Sequence, residues 1–224
     1  MSHQEPSPEA RRGCLITLEG IDNCGKSTQV ALLCAALVQR GIAVGPEETP
    51  GVALREPGAT PVGERIRDVL LHSTGAIDPR TEALLYAAAR AELAAVLIRP
   101  ALAQGRVIVL DRYIDSAFAY QGWGRGIGID TVLEMNRSVA DDLMPDVTFL
   151  LALTAAEAAG RTAGPPDRIE REGMAFQARV ADGYAELACR YPERYVVVDA
   201  TLSPEAIAEQ ILARALAVLE AVCV

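Results

Sequence analysis

Near the amino terminus, Gly20-Ile21-Asp22-Asn23-Cys24-Gly25-Lys26-Ser27, followed by Thr28, reads G-x-x-x-x-G-K-S. The two glycines let the backbone turn with its N–H groups facing inward, and the positive end of a following helix adds to them. Lys26 is long enough to reach the outer phosphates of a triphosphate, and the Ser27 hydroxyl can hold Mg²⁺. A second acid that could organise Mg²⁺ and its waters is Asp111, at the end of the apolar run Arg106–Leu110; the alternative is that it caps a helix. Arginines are scattered around these groups: Arg55 in Arg55-Glu56-Pro57-Gly58-Ala59-Thr60, Arg112 beside Asp111, Arg90, and Arg161, Arg168 and Arg171 in the segment 160–173, which also holds Asp167 and Glu170.

The elements that must position these groups can be read from pattern. Cys14–Glu19 is a short apolar run expected to be a buried strand, and Ser27–Arg40 has apolar residues at helical spacing, so the glycine loop joins strand to helix as its chemistry requires. Further strands are expected at Val52–Leu54, Arg106–Leu110, Val147–Leu153 and Tyr195–Asp199. Helices are expected at Pro61–His72, Thr81–Leu102, 130–142, Ala175–Arg190 and after Ser203-Pro204-Glu205, with Thr154-Ala155-Ala156-Glu157 as a capping box. Apolar strands alternating with helices predict an α/β fold with a parallel sheet covered on both faces.

A length of 224 residues suits one domain, from residue 13 onward, with residues 1–12 as a polar, proline-containing tail. The net charge of −9 argues against nucleic acid or an anionic membrane as partner, and the final helix is too interrupted by charge to span a bilayer. Five cysteines without metal spacing point to reduced thiols in a cytosol, most of them as small buried apolar groups. Cys24 is expected to be open to oxidants because it lies in the loop. His72 reads as a surface residue. Arg90, amid Tyr86, Ala87, Ala88, Ala89 and Leu93, is either snorkelling to solvent or aimed into a cleft. The 160–173 segment reads as a lid that brings arginines to a triphosphate, or as a solvated charged loop.

Away from Lys26 the arginines outnumber what one triphosphate needs. Two phosphorylated ligands facing one another repel until neutralised, so the set favours a phosphate acceptor over an alcohol, and a phosphate acceptor needs no general base.

Four pieces in order, EGIDNCGKST, REPGAT, DRYIDSAFAYQGWGRG and DRIERE, make the chain resemble thymidylate kinases from about residue 13 to the final helix. The absence of a basic residue at positions 21–24, together with lid arginines, resembles the bacterial type. The resemblance implies a three-layer P-loop NTPase fold, with a five-stranded parallel sheet and a short lid, that passes the γ-phosphate of ATP to dTMP with Mg²⁺ in a cytoplasmic homodimer. It implies that Lys26, Asp22, Arg112, Arg161 and Arg168 form the catalytic set, with Gly20 to Thr28 around ATP. Arg55, Arg112 and Asp22 would sit at the dTMP phosphate. Tyr86 would stack on the base, Arg90 would hydrogen-bond it, Ser116 and Gln121 would lie near it, and Tyr120 would sit under the sugar. Ser27, Asp22, Asp111 and Glu170 would be the metal-side oxygens. The chain departs from the family pattern in an insertion at 45–51, in Ala59 where a second glycine is common, and in a short lid carrying Pro165 and Pro166.

Two rivals remain at this stage. A kinase for another nucleoside monophosphate would read a different base, which Tyr86, Arg90 and the AYQG run disfavour. A nucleotide-binding switch would not need arginines around a second phosphate.

Overall fold

The computed structural model describes residues 12–137, 143–161 and 167–222. The five strands are β1 (Cys14–Glu19), β2 (Leu54–Arg55), β3 (Val107–Asp111), β4 (Val147–Ala152) and β5 (Tyr195–Asp199). They form one parallel sheet in the order β2-β3-β1-β4-β5. The helices are α1 (Lys26–Val38), α2 (Pro61–His72), α3 (Pro79–Leu93), α4 (Arg99–Ala103), α5 (Ile114–Ala117), α6 (Ile129–Met135), α7 (Ala155–Ala159), α8 (Met174–Arg190) and α9 (Pro204–Val222). Leu15, Ile16 and Leu18 of β1 and Ile108, Val109 and Leu110 of β3 are buried, each side chain contributing roughly 1.5–3 kcal/mol on removal from water.

The expected α/β fold is present, with local corrections. The second strand is only Leu54–Arg55; Gly51 ends a turn, and Val52 and Ala53 run on to the strand without joining the sheet. The third begins at Val107 and includes Asp111, whose backbone pairs with Leu18 and Arg55. The long helix starts at Pro79, two residues earlier than expected, since Asp78 caps it by accepting from the backbone N–H of Arg80 and Thr81 at 3.0 and 3.2 Å. It is continuous to Ala103 but widens into a π-helical turn at Ala94–Ile98. A second π-helical stretch, Phe118–Gly124, follows α5. Of the helix expected at 130–142, Ile129–Met135 is seen and 138–142 lie outside the described residues, as do residues 162–166 of the expected lid and the tail 1–11. The capping box at Thr154 and Glu157 is formed on both sides. Among the described residues no helix is long and apolar enough to cross a membrane.

In the strand order, β1 lies between β3 and β4, so connections leave it to opposite sides, and the carboxyl ends of β1, β2 and β3 open on one crevice, where open α/β sheets bind ligands.

Candidate active site

The loop after β1 is shaped by backbone geometry. Gly20 has φ +141°, and a Cβ there would lie 2.7 Å from the Leu151 carbonyl oxygen and 2.8 Å from Cys24 Sγ, so no side chain fits. Gly25, at φ +99°, precedes α1 with no side-chain cap, which leaves the first-turn N–H groups for an anion. Lys26 is buried, its Nζ 2.7 Å from the Ile21 carbonyl and 3.3 Å from that of Gly20. Ser27 Oγ donates to Asp111 Oδ2 at 2.6 Å, so Asp111 faces the side chain in the first turn of α1 and caps neither that helix nor α5. Cys24 is buried under the loop, Sγ 3.5 Å from Lys26 Nζ, which overturns the expectation that it is open to oxidants. Cys14 and Cys34 are buried too, as expected for most of the thiols, Cys189 is exposed, and Cys223 lies outside the described residues.

Arg112 follows β3 with φ +68°, a left-handed conformation unusual for arginine, held by its own N–H on the Leu18 carbonyl at 3.1 Å. The turn aims its guanidinium across the end of β1. Nη1 donates to Gly20 O at 2.8 Å and to Ser116 Oγ and Tyr184 Oη at 3.2 Å, while Nη2 donates to Asp22 Oδ1 at 2.5 Å and Tyr120 Oη at 3.1 Å. Asp22 Oδ2 also accepts from Tyr120 at 3.0 Å and Gln177 Nε2 at 2.9 Å. Burial opposes ionisation of Asp22, but the charges of Arg112 and Lys26 outweigh it and hold its pKa below the ordinary value. Behind this pair, Glu19 is fully buried and accepts from Tyr113 N–H at 2.7 Å, Ser116 Oγ at 2.6 Å and Tyr184 Oη at 2.8 Å. Burial, then the nearby Asp115 charge, pushes its carboxyl up to about 7.

Beside Arg112 opens a cleft lined by Asp22, Glu56, Pro57, Arg67, Leu71, Tyr86, Arg112, Ser116, Ala117, Tyr120, Gln121, Asp167 and Ile169. Its mixed lining, the Tyr86 and Tyr120 rings among charged and amide groups, suits a small polar ligand with an aromatic part. Asp22, Tyr86, Arg112, Ser116, Tyr120 and Gln121 are thus brought together.

Arg55 is not brought with them. Its Nη2 lies 3.0 Å from both oxygens of Glu64, which draws it into a neighbouring groove that it shares with Ser27 and Asp111. Arg90 is wholly buried rather than snorkelling. Nε and Nη2 grip both oxygens of Glu56 and Nη1 contacts Asn136, so it stands behind the cleft wall. Of the lid arginines, Arg161 donates to the Ala200 carbonyl at 2.9 Å, and Arg168 to the Leu70 carbonyl and to Glu82, each at 2.6 Å. Neither faces the phosphate loop. Glu170 shares a groove with Asp22, Asn23 and Gln177, while its carboxylate accepts from the Asp167 N–H at 2.9 Å. Ala59, where the family commonly has glycine, holds the glycine-type conformation at φ +63°, its N–H fixed by Glu64 at 2.9 Å.

For a hard divalent cation the fit is good on the side of Ser27 and Asp111, which offer a hydroxyl and a carboxylate oxygen 2.6 Å apart. Among the described residues no group of three or more His, Cys, Asp or Glu is placed to hold a metal ion.

Several residues at the site were not foreseen. Arg67 lines the cleft from α2, its Nη1 on the Pro57 carbonyl at 3.0 Å. Gln177 and Tyr184 reach Asp22 and Glu19 from α8, and their seven-residue spacing, which keeps them on one helix face, was the available signal. Glu56 and Glu82 were hidden by burial, which spacing alone does not reveal.

Comparison with known proteins gives a consistent picture. The thymidylate kinase family profile matches residues 18–211. The thymidylate kinase of Leifsonia xyli subsp. xyli is 47% identical over 210 residues, covering 92% of this chain and 96% of that protein. That of Chlorobium chlorochromatii is 45% identical over 212 residues, covering 89% and 92%. That of Pelotomaculum thermopropionicum is 43% identical over 214 residues, covering 94% and 96%.

Proposed function

Since this chain belongs to the thymidylate kinase family, we propose a residue-by-residue account of how it works. The enzyme is a phosphotransferase that moves the γ-phosphate of ATP to dTMP, giving dTDP and ADP.

In our reading the ATP phosphates lie on the N–H groups of Gly20 to Thr28, with Lys26 leaving the Gly20 and Ile21 carbonyls to neutralise the outer phosphates. Ser27 and Asp111 would hold Mg²⁺, which when bound would spread the charge of the phosphate oxygens. The monophosphate enters the cleft with its phosphate at Arg112 and its base towards Tyr86 and Gln121, and Tyr120 lies under the sugar. Arg67 reaches the phosphate end from α2, Arg55 joins by leaving Glu64, and Arg90 supports the base end through Glu56. The attacking atom is a phosphate oxygen that carries no proton at neutral pH, so the protein needs to align and neutralise rather than deprotonate. Arg161 supplies positive charge to the transferring group once the lid turns towards the loop, Arg168 stays on Glu82, and Glu170 faces the metal side from the same segment. The assembly is read as a cytoplasmic homodimer.

The observation that carries the account is Arg112, which faces the cleft while binding the Gly20 carbonyl and Asp22 of the phosphate loop, so one guanidinium touches both ligand sites. The test is ADP release with ATP and Mg²⁺, offering dTMP, dUMP, dCMP, dGMP and AMP separately. Strong preference for dTMP supports it. Equal use of another monophosphate overturns the base assignment, and release independent of any acceptor overturns the acceptor site.

A further inference from the structure

Glu82 of α3 does not border the cleft, yet it holds Gln121, which does, together with Arg125 and Arg168 of a neighbouring groove. It is fully buried. One oxygen, Oε1, accepts from Gln121 Nε2 at 2.9 Å and Arg125 Nε at 3.1 Å; the other, Oε2, accepts from Arg125 Nη2 at 3.1 Å and Arg168 Nη2 at 2.6 Å. Four donors converge on the four lone-pair directions of one carboxylate. Burial disfavours the charge, but hydrogen bonds from Arg125, Gln121 and Arg168 keep its pKa below the ordinary value, so Glu82 stays ionised and has no proton to give.

An acceptor-only group fixes the amide beside it. Whichever Gln121 atom faces Glu82 must be the NH₂, so the atom left to face the cleft is the carbonyl oxygen, an acceptor. An acceptor at that wall complements a ring N–H. Thymine has one at N3, whereas cytosine has a lone pair there, and two acceptors facing one another leave both unsatisfied.

We infer that Glu82 is a positioning residue for base selection: by locking the Gln121 amide it makes the cleft accept thymine and reject cytosine. The inference rests on the functional reading above. Glu82→Gln reverses the lock without changing the shape. Oε2 takes two arginine donors and Oε1 one, so the oxygen of the new amide settles on the side of Arg168 and Arg125 Nη2; its NH₂ then stands opposite Gln121, and Arg125 Nε gives up its bond there. Gln121 then turns its own oxygen to that NH₂ and offers its NH₂ to the cleft.

The experiment is kcat/KM for dTMP and dCMP in the wild type, Glu82→Gln and Glu82→Asp, with folding checked by thermal melting. In Glu82→Gln the dTMP-to-dCMP ratio is expected to fall by at least about tenfold, with the absolute value for dCMP rising. General damage to the fold lowers both substrates and cannot produce that rise. Glu82→Asp keeps an acceptor-only group, so the preference stays even if turnover drops. If Glu82→Gln leaves the ratio unchanged while the wild type prefers dTMP, the inference is overturned and the kinase reading stands. If the wild type shows no preference for dTMP, the base assignment itself fails. Should Glu82→Gln not fold, Gln121→Ala decides: loss of dCMP rejection supports the lock, and undiminished rejection overturns it.

Discussion

Arg112 Nη2 meets Asp22 Oδ1 at 2.5 Å, and the Tyr120 hydroxyl touches both partners, at 3.1 Å to Arg112 and 3.0 Å to Asp22. The triangle joins the end of β3 to the phosphate loop and puts a positive charge at the cleft mouth. Replacing Arg112 by alanine is expected to lower dTMP-dependent turnover by roughly 10²–10³-fold, as loss of a preorganised donor does, while ATP affinity changes little. Steady-state kinetics and ATP calorimetry check this; unchanged turnover removes Arg112 from the acceptor site.

Stability should depend on pH through two buried acids. Glu19 and Glu56 are each pushed up to about 7, mainly by burial, against an ordinary 4.5; for Glu56 the Arg90 charge offsets only part of that push. Between those values the folded chain keeps protons that the unfolded chain has released. Their contribution is therefore complete below about pH 4.5 and is lost as the pH rises through about 7. Asp22 and Glu82, held low, act in the opposite sense, and their contribution disappears only in stronger acid. Urea unfolding at a series of pH values should show stability falling by up to roughly 5 kcal/mol from about pH 5 to pH 8, with a shallower fall in Glu19→Gln. A rise across that interval contradicts the assignment.

Gly183 lies where α8 crosses the segment Phe118–Gly124. A Cβ there would stand 2.8 Å from Trp123 Cβ and 3.3 Å from the Ala119 Cα. Gly183→Ala is expected to cost about 1–3 kcal/mol by overpacking, and to raise KM for dTMP because Tyr120 and Gln121 belong to the displaced segment. A melting curve and a KM measurement check both, and a fully stable variant would show that the helices part freely.

Asp111 accepts from Ser27 at 2.6 Å. Asp111→Asn keeps the shape but removes a charge from the cation side, so the Mg²⁺ concentration for half-maximal activity is expected to rise about tenfold, with chelation abolishing activity in both proteins. A Mg²⁺ titration identical to that of the wild type would place the ion elsewhere.

Much of this was legible in the sequence because short-range patterns encode it. The glycine loop fixes its own strand and helix, and Cys14–Glu19, Pro61–His72 and Tyr195–Asp199 have the same bounds in the structure as in the periodicity. Thr154 and Glu157 announce their cap through a spacing that is itself the hydrogen-bond geometry. What stayed hidden depends on pairings between distant segments. Nothing local to Arg55 says that Glu64 will claim it, and nothing near Arg90 says that Glu56 will bury it. The π-helical turns at Ala94–Ile98 and Phe118–Gly124 leave no mark in a 3.6-residue pattern. Cys24 was misread because motif position gives no depth, and depth put it under the loop.

The hydrogen bonds from Gln177 to Asp22 and from Tyr184 to Glu19 join residues 155 and 165 positions apart. During synthesis on the ribosome the phosphate loop therefore leaves the exit tunnel early, meets Arg112 and Tyr120 next, and gains its last braces only when α8 has followed it. A chain released before that helix carries the whole nucleotide-binding motif without the helix that holds its aspartate. Supplying residues 174–222 as a separate peptide to such a fragment would recover activity only by re-docking that helix, which makes the boundary just before Met174 a natural place to split this enzyme into a complementation reporter.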